Sequence, residues 1–132
     1  MSQADDSPAP SDARLTKQAL RERLRLATLN MTPDERAEQS ALICRRIVES
    51  SLWRSSQAVL LYSPLTSEVN VNSLIESVLS GIKIVSLPRF LSKSDRYAPY
   101  VIRQSGDVVD GAFGVSEPPQ TALNWSRTNW TW

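Results

Sequence analysis

The sequence predicts an α/β fold built on a parallel strand–helix–strand unit, and three observations between Gln57 and Phe90 carry that prediction. Ala58-Val59-Leu60-Leu61-Tyr62 is an uninterrupted apolar run of strand length, the pattern of a strand covered on both faces. Leu74, Ile75, Val78 and Leu79 then recur at the three- and four-residue spacings that share one helix face. Ile84-Val85-Ser86-Leu87 is a second apolar run, ending at Pro88-Arg89. Strand, helix and strand within about thirty residues make a parallel crossover, which is right-handed almost without exception.

The remaining elements follow in chain order. Residues 1–12 are small, polar and proline-containing, and read as a disordered tail. A helix is expected from about Ser11 to about Leu29, with Leu20, Leu24 and Ala27 as an apolar stripe suited to lie on a sheet. Thr32-Pro33-Asp34-Glu35 starts a second helix: threonine caps, proline takes the first helical position, and the glutamate three residues on returns the bond. That helix carries Ala37, Ala41, Cys44 and Val48 along one stripe with Ile43 and Ile47 beside it, then yields to Leu52-Trp53, expected to wedge against the sheet. In the central unit Pro64 closes the first strand, Asn70 is placed to cap the crossover helix, and Gly81 to end it in the left-handed conformation. Tyr97 to Ile102 reads as a short strand interrupted by Pro99, and Val108 to Pro119 as a shaped loop of glycines and prolines. Residues 120–132 form an atypical tryptophan-rich tail.

Composition bounds the function. A chain of 132 residues, 41% apolar and 22% charged, fits one globular domain, here residues 13–119. A net charge of +1 implies no polyanion-binding surface, and so no nucleic-acid partner. The N-terminus lacks the apolar core of a secretory signal, and no apolar run reaches membrane-spanning length, so a cytoplasmic protein without a membrane partner is expected. Histidine is absent, which removes Ser-His and Cys-His hydrolase mechanisms and most zinc sites. The single cysteine, Cys44, reads as a small buried hydrophobe.

Ligands of open parallel sheets sit beyond the carboxyl ends of the strands. Tyr62, Ser63 and Glu68 lie past the first strand and Arg89 past the second, which brings an aromatic, a carboxylate and a guanidinium to one edge. The plainer alternative is that Glu68 favours the positive end of the following helix. Lys17 and Arg21, four apart on the first helix, repel slightly unless an anion lies between them; on the residues alone, a solvated basic face accounts for them.

Four blocks in order add a resemblance: Lys17-Gln18-Ala19-Leu20-Arg21, Tyr62-Ser63-Pro64 leading to Glu68-Val69, Lys83 through Leu87-Pro88-Arg89, and Phe113-Gly114-Val115-Ser116-Glu117-Pro118. Across residues 15–119 the chain resembles the 5-formyltetrahydrofolate cyclo-ligase (5,10-methenyltetrahydrofolate synthetase) family. The resemblance implies a mainly parallel sheet flanked by helices, a Rossmann-like three-layer arrangement, C-terminally incomplete in this chain. It implies an enzyme that uses ATP and Mg2+ to close 5-formyltetrahydrofolate into 5,10-methenyltetrahydrofolate in folate one-carbon metabolism. It further implies ATP-phosphate contacts at Lys17 and Arg21, with Arg21 also reaching the folate, and folate contacts at Tyr62, Ser63 and Glu68. Phosphate oxygens would then be the anion that the two neighbouring cations lack.

The ending departs from the family pattern. Its members continue after the Glu-Pro block with a strand and a glycine-rich phosphate-holding run, whereas the glycines here are Gly81, Gly106, Gly111 and Gly114. The chain is therefore expected to be truncated relative to the family and weak in cyclo-ligase activity by itself. The alternative function is a non-catalytic folate- or nucleotide-binding module that acts by pairing with another chain.

Overall fold

The computed structural model describes residues 10–126, with side chains described from Thr16 onward. The expected tail at residues 1–9 and the tryptophan-rich end at 127–132 lie outside the described residues. The chain divides into two compact units, Met1–Glu35 and Arg36–Trp132.

The first unit holds helix α1, Pro10–Asn30, close to its expected bounds. Leu20 and Leu24 on it are exposed. Helix α2 follows over Pro33–Glu49, entered as its sequence dictates, with the Glu35 N–H donating to Thr32 Oγ1 at 3.1 Å.

In the second unit α2 buries only part of its expected apolar face, together with a serine. Ser40 and Cys44 are buried and Ile47 packs on the core, while Ala37, Ala41, Ile43 and Val48 are exposed. A short helix α3, Ser51–Ser55, is capped by Ser50, whose side chain accepts from the Trp53 N–H. Trp53 reaches the core, but Leu52 is 80% exposed and does not wedge against the sheet. Lys83 stitches this corner by donating to the Ser56 carbonyl.

The crossover is present. Strand β1, Ala58–Leu60, pairs parallel with β2, Ile84–Leu91, in the register Val59 opposite Val85, and helix α4, Asn72–Leu79, connects them. Leu74, Ile75 and Val78 of α4 form the core with Val85 and Leu87 of β2, Val71, Cys44 and Ile102. Two end signals differ from expectation. Val71 occupies the N-cap position of α4, and Asn70 accepts from the Asn72 N–H instead; the helix closes through Ser80 in a right-handed conformation, with Gly81 outside the left-handed region.

The sheet is mixed: its order is β1-β2-β3, and β3, Arg96–Ile102, runs antiparallel to β2. A four-residue connection allows this hairpin because Asp95 takes φ of 55°, a conformation aspartate tolerates better than most residues. Neither proline ends its strand. Pro88 and Pro99 face each other, and the outer edge of β3 shows why. Pro99 O accepts from the Trp125 N–H and the Val101 N–H donates to Leu123 O, both at 2.8 Å, so Pro99 turns its backbone polar groups away from β2. Pro88 lies beyond the last β1 partner, where no donor is required. Strands β4, Val109–Asp110, and β5, Ser116–Glu117, form a second, two-stranded antiparallel sheet around a 3-10 turn at Ala112–Gly114.

Leu74 is 1% exposed at the centre of this core, so Leu74→Ala should lower unfolding free energy by about 2–5 kcal/mol in a denaturant titration. A change below about 1 kcal/mol would contradict the placement of α4.

Candidate functional site

Beyond the carboxyl end of β1 the chain runs from Leu61 to Val71 without regular structure, and its own polar groups shape it. The Tyr62 hydroxyl donates to Val69 O at 2.9 Å, closing the segment across seven residues. Glu68 Oε1 accepts from the Leu65 N–H at 2.8 Å, and the Glu68 N–H donates to Leu65 O at 3.0 Å. Glu68 thus braces its own turn, where sequence reasoning had set folate contact against attraction to the start of α4. Burial, the negative charge of Glu68 and the nearby Cys44 together push the Tyr62 phenol above its ordinary pKa, burial being the largest cause.

Ser63, next in the segment, lines a cavity of about 310 Å³. Asn72, Ile75 and Glu76 of α4, Leu87 of β2, and Ser105 just past β3 share its wall. The wall combines an apolar floor from Ile75 and Leu87 with hydroxyl, amide and carboxylate groups above it, the mixture that holds and orients a small polar-aromatic ligand. Glu76, Asn72 and Ser105 were not picked out from sequence. Glu76 and Asn72 carry a usable signal, since they lie on the polar face of a helix whose apolar face is plain.

Arg89 does not join Tyr62, Ser63 and Glu68. Its Nη1 donates to Pro118 O at 2.8 Å and stands 3.4 Å from Glu117 Oε1, while Glu117 Oε2 accepts from the Phe90 N–H at 3.2 Å. Glu117 is 8% exposed, and a carboxylate so buried needs a cation and donors. The pair joins two of the family-like blocks physically, β2 to β5. The clue in the sequence was an acid set directly before two prolines, in Val115-Ser116-Glu117-Pro118-Pro119. Phe90 meanwhile lies 5.2 Å from Tyr97 and 5.5 Å from Phe113, ring centre to ring centre.

Lys17 and Arg21 lie in the first unit, both exposed and one helical turn apart on α1. Neither forms an ion pair among the described residues, whereas Glu22 and Arg25 of the same helix pair at 2.6 Å. Among the described residues no three acidic or thiol groups converge as a metal site, and no helix is long and apolar enough to cross a membrane.

Two outcomes test this geometry. Gly111→Ala should destabilise the fold by about 1–3 kcal/mol in denaturant, because an added Cβ would fall 2.3 Å from Glu117 Cδ and force the buried carboxylate off its partners. Titrated by ultraviolet absorbance, the Tyr62 phenol should ionise above the ordinary value of 10.0, and that step should vanish in Tyr62→Phe. The unfolded phenol ionises first as pH rises, so this group's contribution to stability is intact below 10.0 and is lost above it.

The protein-family comparison matches residues 13–130 to the 5-formyltetrahydrofolate cyclo-ligase family, continuing past Pro119 into the segment set apart from sequence alone. Among solved structures, the NMR structure of 5,10-methenyltetrahydrofolate synthetase from Aquifex aeolicus is similar, with a TM-score of 0.69 and 26% identity. The alignment covers 82% of this chain and 55% of that one, so the chain spans little more than half of its structural relative. No curated protein sequence matches at a significant level. With its mixed α/β fold and most of its length matched, this chain is a member of the 5-formyltetrahydrofolate cyclo-ligase family.

Proposed function

We propose that the chain serves the ATP- and Mg2+-dependent closure of 5-formyltetrahydrofolate to 5,10-methenyltetrahydrofolate, acting in the cytoplasm. The observation that carries this reading is the 310 Å³ cavity, lined by both polar and apolar side chains and reached by Ser63 beyond the β1 tip in a family member. A pterin ring is flat, apolar on its faces and rich in donors and acceptors at its edge, which suits such a wall. Ser63 contributes a hydroxyl there. Tyr62 and Glu68 belong to the same segment but do not line that cavity, Tyr62 committing its hydroxyl to Val69 O and Glu68 keeping acceptor capacity beyond its bond to Leu65.

When bound, ATP supplies the phosphoryl group that makes the formyl oxygen a leaving group, so that attack by the neighbouring amine nitrogen expels phosphate. The chain's task in such chemistry is positioning and charge neutralisation. Lys17 and Arg21 fit phosphate oxygens: both are exposed, adjacent on one helix and without an ion-pair partner among the described residues. Arg21, with its forked donors, is the better placed chemically to serve a folate carboxylate as well. With no protein cage among the described residues, magnesium fits as an ion carried on those phosphates.

A second reading, folate or nucleotide binding without turnover, is favoured by the scattered glycines, none of which forms a phosphate-holding run. Purified chain mixed with 5-formyltetrahydrofolate, ATP and magnesium separates the two: methenyl product, seen by near-ultraviolet absorbance, supports the ligase, and binding without product supports the module. Lys17→Ala should weaken nucleotide affinity by about 10- to 100-fold, the loss of one charge-assisted hydrogen bond. Glu68→Gln should weaken folate affinity more than it lowers the melting temperature; the reverse order would assign Glu68 to bracing alone.

A further inference from the structure

Both backbone polar groups of Asn70 are held from helix α2. The Asn70 N–H donates to Ser40 Oγ at 3.0 Å, and the Cys44 thiol donates to Asn70 O at 3.5 Å. Ser40 and Cys44 are one helical turn apart and are the buried residues of α2, at 8% and 5% exposure. A buried serine in the middle of a helix is poorly suited to packing alone; here its hydroxyl accepts from the Asn70 amide. Asn70 is the junction of the segment. On one side the Tyr62 bond to Val69 O closes the loop that carries Ser63 and Glu68, and on the other Asn70 Oδ1 accepts from the Asn72 N–H, where α4 begins. Val71, buried at 4%, anchors the next residue in the core.

We infer that Ser40 and Cys44 are positioning residues for the ligand-binding segment: the two bonds set the height and orientation of the Tyr62–Glu68 loop over the cavity. The inference rests on the folate reading for the identity of the ligand, but the clamp itself does not. Displacing a binding group by about 1 Å costs up to a hundredfold, so a pair of bonds fixing the loop's end can govern affinity without touching the ligand. Cys44 is then more than a small apolar filler, since its thiol donates to the Asn70 carbonyl at a part-buried position.

Hydrogen exchange and ligand affinity, measured on the full chain, test this. In Ser40→Ala the Asn70 amide should exchange about tenfold faster or more, with the α4 amides unchanged. Affinity for 5-formyltetrahydrofolate should fall about tenfold while ATP affinity stays within about twofold, and Ser40→Thr, which keeps the oxygen, should restore both exchange and affinity. Cys44→Ala, which removes the second bond with little change of volume, should shift the same two readouts in the same direction and serves if Ser40→Ala does not fold. Unchanged exchange at Asn70, equal acceleration throughout α4 and β2, or equal loss of folate and ATP affinity would each overturn the clamp. If the unaltered chain binds no folate yet the exchange result holds, the folate identity falls and the clamp stands.

Discussion

Burial of Leu74, Ile75 and Val78 against Val85 and Leu87 is the contact on which the rest of the second unit depends. It holds α4 on one face of the sheet, and with α4 in place β2 must lie parallel to β1. The segment that leaves β1 and runs from Leu61 to Val71 then connects strand and helix, and its Ser63 and Pro64 line the cavity. A site at this location follows from the crossover itself, as it does in open α/β sheets generally. Fold and cavity are thus consequences of one apolar contact.

The same contact shows what could be read in advance. The apolar face of α4 was legible because its period and length agreed. The two flanking runs were legible as strands, although β1 stops at Leu60, which is exposed rather than covered on both faces, and β2 runs on to Leu91. The inward face of α2 was legible at Cys44 and Ile47 but not at Ser40, which is buried and bonded to Asn70 while the more apolar Ala41 and Val48 are exposed. Hydropathy cannot report a hydrogen bond made to a residue thirty positions away in the chain, such as that from Asn70 to Ser40. The ends of α4 misled for a related reason: Asn70 and Gly81 are the right residue types for caps, but the core's hold on Val71 shifted the helix start by one residue. Pairing direction was also hidden, because a strand pattern alone does not say whether the next strand returns beside it or crosses over.

Charged groups divide along the same line. Tyr62, Ser63 and Glu68 were singled out because position past a strand end is itself a signal, and of the three Ser63 lines the cavity. Arg89 satisfied that criterion and yet is occupied elsewhere, with Glu117 and Pro118. A buried carboxylate exerts a stronger claim on a guanidinium than an open edge does, since leaving Glu117 unpaired would be the costlier arrangement. Chain position proposes partners, and desolvation chooses among them.

The opposed prolines of β2 and β3 have a bearing on how the hairpin assembles. Side chains alternate with a period of two, so a slip of one residue would invert one strand's faces and swing one proline nitrogen into the ladder, where a donor is needed and none exists. Pro88 and Pro99 fit together in the observed alignment, each with its nitrogen turned outward. They behave as a key cut for one lock position, so the strand that closes the cavity floor with Leu87 has a single way to dock.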